Sequence, residues 1–194
     1  MSFTETEIAL GLVVLVLVAI VVWLWIRNRR TADLKSRFGP EYERLVDDVG
    51  DERKAGKVLA EREKRVASYD IRPLPPETRS SFTERWNRIQ ADFVDSPGSA
   101  VKHADDLLGE IMSARGYPLQ DFDQRAEDLS VDHPRVVQNY RTAHDIADRH
   151  GRGDASTEDL RKAMIHYRAL FDDLVDEQGG QNEAAAVRKE RSRG

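Results

Sequence analysis

Apolar and polar positions fall along this chain in blocks of different period, and the first block is the plainest. Ile8 to Ile26 runs for 19 residues without a charge, and 14 of them are Leu, Ile or Val. Those side chains favour insertion into a bilayer by roughly 4–8 kcal/mol. A helix of that length rises about 28 Å, close to the hydrocarbon thickness of a membrane. The block therefore predicts a transmembrane helix over 8–26. Glu5 and Glu7 precede it, whereas Arg27, Arg29, Arg30, Lys35 and Arg37 follow it. The basic flank belongs on the cytoplasmic side, which leaves residues 1–7 outside and the C-terminal domain inside. Trp23, Trp25, Arg27, Arg29 and Arg30 are the expected membrane-interface residues. A cleaved signal peptide fits less well, because the segment has no basic leader and is followed by arginines, not by a small-residue cleavage site.

The second block, 27–69, is charged. Gly39-Pro40 interrupts any helix leaving the bilayer, and Pro40 suits the first position of the next one, where its missing N–H costs nothing. A heptad register from Tyr42 places Leu45, Val49, Glu52, Gly56, Leu59, Glu63 and Val66 on the same seam. With five of eight positions apolar, this is a poor coiled coil. A charged amphipathic helix, or two helices divided near Gly50, is the better reading. Pro73, Pro75 and Pro76 then make 70–77 a semi-rigid connector and a domain boundary.

Helical periodicity returns in residues 78–177. Phe82, Trp86, Ile89 and Phe93 form one stripe; Val101, Ala104, Leu108 and Ile111 form another, entered through Ser96-Pro97 and ended at Gly116. After a shorter segment around Phe122, Asp132-His133-Pro134 is expected to open a helix carrying Val136, Tyr140, Ala143 and Ala147, with Asp132 as its cap. Gly151 and Gly153 should end that helix. Ser156 and Asp159 resemble a capping box before Leu160, Met164, Tyr167, Phe171 and Leu174. No strand-like alternation intervenes. The fold class is all-α: a transmembrane helix, a charged juxtamembrane helix and a small antiparallel helical bundle. Residues 178–194 are polar and aperiodic, as in a disordered tail.

Charge and composition narrow the partners. The formal net charge is -5 and there is no cysteine, which excludes disulfides, thiolate metal sites and cysteine nucleophiles. Residues 27–83 carry 14 basic and 11 acidic groups, whereas 84–177 carry 12 and 20. The acidic distal domain argues against nucleic acid as a partner. The arginines after the span suit anionic lipid as well as topology, and Arg188, Lys189, Arg191 and Arg193 in the tail allow a similar contact.

Candidate chemistry is sparse. The positions three before His103, His133, His144, His150 and His166 are Ala100, Ser130, Arg141, Ala147 and Ala163, so the di-iron bundle signature is absent. Neither a zinc-protease pattern nor a phosphate-binding glycine loop is present, and no metal or cofactor is expected. Ser130, Asp132 and His133 make the least implausible catalytic cluster. Tyr140, His144, Tyr167 and Arg168 converge only if the last two long helices lie side by side, and the two tyrosines then read as core residues with a polar tip.

The strings Arg37-Phe38-Gly39-Pro40-Glu41-Tyr42, Ile71-Arg72-Pro73-Leu74, Ala114-Arg115-Gly116-Tyr117-Pro118, Asp132-His133-Pro134 and Tyr167-Arg168-Ala169-Leu170-Phe171 resemble a family of uncharacterised bacterial single-pass membrane proteins. The resemblance covers residues 37–174 and implies a bacterial host only; it carries over no activity, cofactor or catalytic residue. The expected function is a membrane-tethered cytoplasmic helical module that binds a protein partner. A structural spacer or homo-oligomer at the membrane comes next, and a membrane-anchored enzyme last.

Overall fold

The structure is a computed structural model that describes residues 12–18, 21, 33–118 and 120–176. Every element among the described residues is helical, as the periodicities predict. Residues 12–18 are helical and exposed. The rest of the apolar run apart from Val21, the interface residues Trp23, Trp25, Arg27, Arg29 and Arg30, and the tail lie outside the described residues. Among the described residues no helix is long and apolar enough to cross a membrane.

The chain forms two compact units, residues 1–56 and 57–194. In the first, Gly39 takes a positive φ of 47° and Pro40 opens helix α1, Pro40–Val49. Gly50, at φ 71°, ends it by donating its N–H to the Val46 carbonyl at 2.7 Å. The charged segment is therefore divided at Gly50, and helix α2, Glu52–Val66, follows. Phe38, Tyr42 and Leu45 are buried, and so is Glu41, whose carboxylate accepts two bonds of 3.2 Å from Arg44.

The second unit holds the end of α2, helix α3 (Pro76–Asp92), α4 (Pro97–Arg115), α5 (Phe122–Asp132), α6 (Val137–Gly151) and α7 (Thr157–Val175). The four long stripes read from sequence meet in one core. α6 packs along α7, α7 along α4, and α4 along α3. Trp86 of α3 stacks on Phe171 of α7, with centroids 4.7 Å apart and planes 20° apart. Leu107, Leu108, Ile111, Leu129 and Leu170 are wholly buried. Each such side chain contributes about 1.5–3 kcal/mol by leaving water. The Ser156–Asp159 capping box forms as expected, with both reciprocal bonds present.

Two local readings need correction. The segment around Phe122 is an 11-residue helix with a side-chain cap, Asp121 accepting from the Gln124 N–H at 2.9 Å. Asp132 is the last residue of that helix, not the cap of the next, which begins at Val137 after Val136. The cause is Pro134: the residue before a proline is pushed out of helical geometry, and His133 sits at φ -127°, ψ 48°.

Gly116 joins the connector to the bundle. It ends α4 at φ 103°, and a Cβ there would fall far inside van der Waals distance of the Asp70 carbonyl oxygen. The Arg72 N–H donates to the Arg115 carbonyl at 2.8 Å, holding the proline segment against the end of α4.

Candidate functional site

α5 carries few apolar residues, and its polar ones meet two different surroundings. Toward α2, Arg62 donates to Glu127 at 3.1 Å, and Arg65 donates to Glu127 at 2.9 Å and to Asp128 at 2.8 Å. Tyr69 and Gln124 also donate to Asp128, at 3.1 and 3.0 Å. The Arg62 and Asp128 side chains are 4% and 2% exposed, so these charges are compensated out of water. The end of α2 is thereby pinned to α5.

The cluster Ser130, Asp132 and His133 does not form a catalytic arrangement. Ser130 Oγ donates to the Glu127 carbonyl at 2.5 Å and accepts from Arg62 at 3.4 Å. Asp132 accepts the Tyr117 hydroxyl at 2.7 Å. His133 pairs through Nδ1 with Asp173 of α7. Each residue is engaged by a separate partner. Burial, followed by the charge of Asp132 and its hydrogen bond, pushes the Tyr117 hydroxyl well above the usual phenol range. His166 meets Asn139 at 3.1 Å, and Arg168 turns outward to Asp172 and to Gln90. Among the described residues, no group of three or more histidine or carboxylate side chains is placed to hold a metal ion.

Tyr140, His144 and Tyr167 do come together, because α6 and α7 pack side by side. Their centre is a residue that the sequence analysis passed over, Asp105 of α4. The Tyr140 and Tyr167 rings lie 6.2 Å apart at the floor, and both side chains are fully buried. Arg125 of α5 places its guanidinium carbon 6.0 Å from the Tyr140 ring centre. Gly109, one turn after Asp105, leaves the room for it: a Cβ there would stand 3.0 Å from Arg125 Nη1. Phe122 stacks on His144 with centroids 3.6 Å apart and planes within 6°. Asp105, Arg125, His144 and Phe122 are only partly buried.

Electrostatically this group is unlike the α2–α5 contact. Burial raises the pKa of Asp105, against the lowering effect of Arg125, His144 and Tyr167, while Asp106 adds to the rise. Burial and the Asp105 charge push both Tyr140 and Tyr167 above the usual phenol range. The Tyr167 hydroxyl and the Asp105 carboxyl also interact directly, which favours the charged carboxylate and the neutral phenol. Five buried polar atoms lack a well-formed hydrogen bond: Asp105 Oδ1, Arg125 Nε, Tyr140 OH, His144 Nδ1 and Tyr167 OH. Each buried polar atom left in this state costs about 1–3 kcal/mol.

An open cleft of about 420 Å³ runs between α3 and α4. Arg85, Arg88 and His103 line it opposite Asp92, Asp106 and Glu110. Arg85 is taken up by Glu110 in two bonds of 2.5 and 2.7 Å, so the cleft offers no single sign of charge to a ligand.

No family model matches the chain, and neither the curated proteins nor the solved structures contain a match to it.

Proposed function

We propose that the chain is a membrane-tethered helical interaction module, with its bundle on the cytoplasmic side of a plasma membrane and a protein as its partner. The observation that carries this reading is the separation of the groups that would do chemistry. Ser130, His133 and His166 each face a different partner, Glu127 and Arg62, Asp173, and Asn139 respectively, and His144 stacks on Phe122. Nucleophilic catalysis needs a base within hydrogen-bonding reach of the nucleophile and a third group to orient it, and no such line runs through these residues. The long apolar run supports the tether, and the basic flank supports its orientation. The ion pairs from Arg62 and Arg65 support a module presented on a fixed stem, since they bind residues 57–69 to α5. Among large apolar side chains of the described bundle only Val94 and Ile165 are strongly exposed, which favours a polar contact surface over a greasy groove.

Photocrosslinking in intact membranes tests the proposal. Reactive groups placed one at a time at exposed positions such as Asp123, Asp145, Glu158 and Ile165 should capture one protein of constant mass from neighbouring positions. Capture of the chain by itself alone would instead establish the spacer, and an absence of any product from all positions would remove the module reading.

A further inference from the structure

α2 carries six basic and three acidic residues, and its basic groups divide between two sides. Arg62 and Arg65 turn to α5 and are engaged by Glu127 and Asp128. Lys57 and Lys64, seven residues apart, share another face, with Ala60 between them and Arg53 one turn before them. Arg62 lies about 140° round the helix from Lys57, at about 100° per residue. Arg53, Lys57, Ala60 and Lys64 are all exposed, and among the described residues neither lysine has an ion-pair partner. Glu61 flanks this stripe, whereas Glu52 and Glu63 lie further round the helix. The apolar side of α2 is already covered, with Ala55, Leu59 and Val66 buried. The outward face therefore offers positive charge and no large apolar side chain.

Behind the stripe stands a domain of opposite sign, since residues 84–177 carry 12 basic and 20 acidic groups. A body with one basic strip and an acidic remainder turns in the field of a negative surface until the strip faces it. The apolar run ends at Ile26, and only residues 27–56 separate it from Lys57. A bilayer is thus the one anionic surface that the tether itself would bring to α2. We propose that Arg53, Lys57 and Lys64 form a docking face for an anionic lipid bilayer, which lays α2 along the surface and turns α5 and the acidic bundle away from it. The inference rests on the tethered reading above. Its contact is electrostatic alone, because the stripe has no large apolar side chain to enter the lipid, and it is therefore lost when salt is raised. The arginines that follow the apolar run set which side the chain is on; the α2 stripe sets which face the bundle shows to a partner.

The chain has no cysteine, so Ala60→Cys gives a nitroxide label one place, in the middle of the stripe, and Ile165→Cys on α7 gives an exposed control. The full chain is reconstituted into vesicles of phosphatidylcholine alone, or of equal parts phosphatidylcholine and phosphatidylglycerol, with nickel chelated to a trace of headgroups, and nitroxide relaxation is read by electron paramagnetic resonance. Position 60 should relax faster in the anionic vesicles than in the neutral ones, and position 165 should not. Salt at about 1 M, where the screening length is about 3 Å, should abolish the difference. Lys57→Gln combined with Lys64→Gln changes only exposed side chains, so it should fold, and it should lower the ratio of docked to undocked chain about thirtyfold. Equal relaxation at position 60 in both lipids, or an equal anionic response at position 165, would overturn the docking face. Dipolar broadening between labels at position 60 would overturn it in favour of a second copy. Flotation with neutral vesicles in high salt reads the tether separately. A chain that fails to float there, yet floats with anionic vesicles in low salt and is released by the double lysine variant, keeps the docking face and loses the tether; one that floats there and shows no response at position 60 keeps the tether and loses the docking face.

Discussion

On one side of α5, Glu127 and Asp128 meet Arg62, Arg65 and Tyr69; on another, Phe122 and Arg125 meet Asp105, Tyr140 and His144. Both regions put charges and hydroxyls under cover within one small helical unit. In the first, the two carboxylates accept hydrogen bonds from Arg62, Arg65, Tyr69 and Gln124, and the result is a fastening. In the second, groups of the same kinds are less tightly joined, and five buried atoms lack a well-formed hydrogen bond. Burial alone therefore does not distinguish the two regions. What separates them is whether the hydrogen-bonding capacity is already used.

The largest expected effect lies on the fastened side. Asp128→Ala strips an acceptor from Arg65, Tyr69 and Gln124 at once, and should cost about 3 kcal/mol in denaturant unfolding. A loss below about 1 kcal/mol would mean that the ion pairs contribute little and that the contrast is false. A middle effect comes from comparing tyrosines. Tyr117→Phe removes a hydroxyl bonded to Asp132 at 2.7 Å and should destabilise by about 1–2 kcal/mol. Tyr167→Phe removes a buried hydroxyl without a well-formed hydrogen bond, and it should be neutral or stabilising by up to about 1 kcal/mol. Equal losses would show that the Tyr167 hydroxyl is satisfied in solution.

The smallest effect concerns pH. A carboxyl whose pKa is raised on folding binds its proton more tightly in the native state, so its ionisation costs stability as pH rises through the native value. Asp105→Asn should thus stabilise the chain by about 1 kcal/mol at pH 7. That advantage should shrink as the pH falls through the raised pKa and be least below the ordinary aspartate range. An advantage that grows on acidification would reverse the assignment.

The long stripes were legible because their period is the helix's own. Phe82, Trp86 and Ile89, or Leu160, Met164, Tyr167, Phe171 and Leu174, recur at helical spacing and are buried together. α5 was far less legible, since Ala126 and Leu129 are its only apolar side chains that are fully buried, and it is held largely by charges whose partners lie about 60 residues away. Asp132 was misread for a local reason, as the proline two residues on acts on His133 and shifts the next helix start. The candidate site was half visible. Tyr140, His144 and Tyr167 could be grouped by assuming that two helices pack together, but Asp105 looks like one more charge in an acidic domain. The signal that would have found it is positional: Asp105 sits one turn after Val101 and one before Gly109, on the edge of an otherwise apolar face.

Gly116 carries a consequence for how this chain can vary over time. Its backbone needs a left-handed conformation, and the space where a side chain would begin is occupied by the Asp70 carbonyl. Asparagine, the usual substitute where only the conformation matters, fails here on volume. Position 116 is thus a point at which the genetic text has one acceptable spelling, and a descendant of this chain that spells it otherwise must also have rerouted residues 70–72.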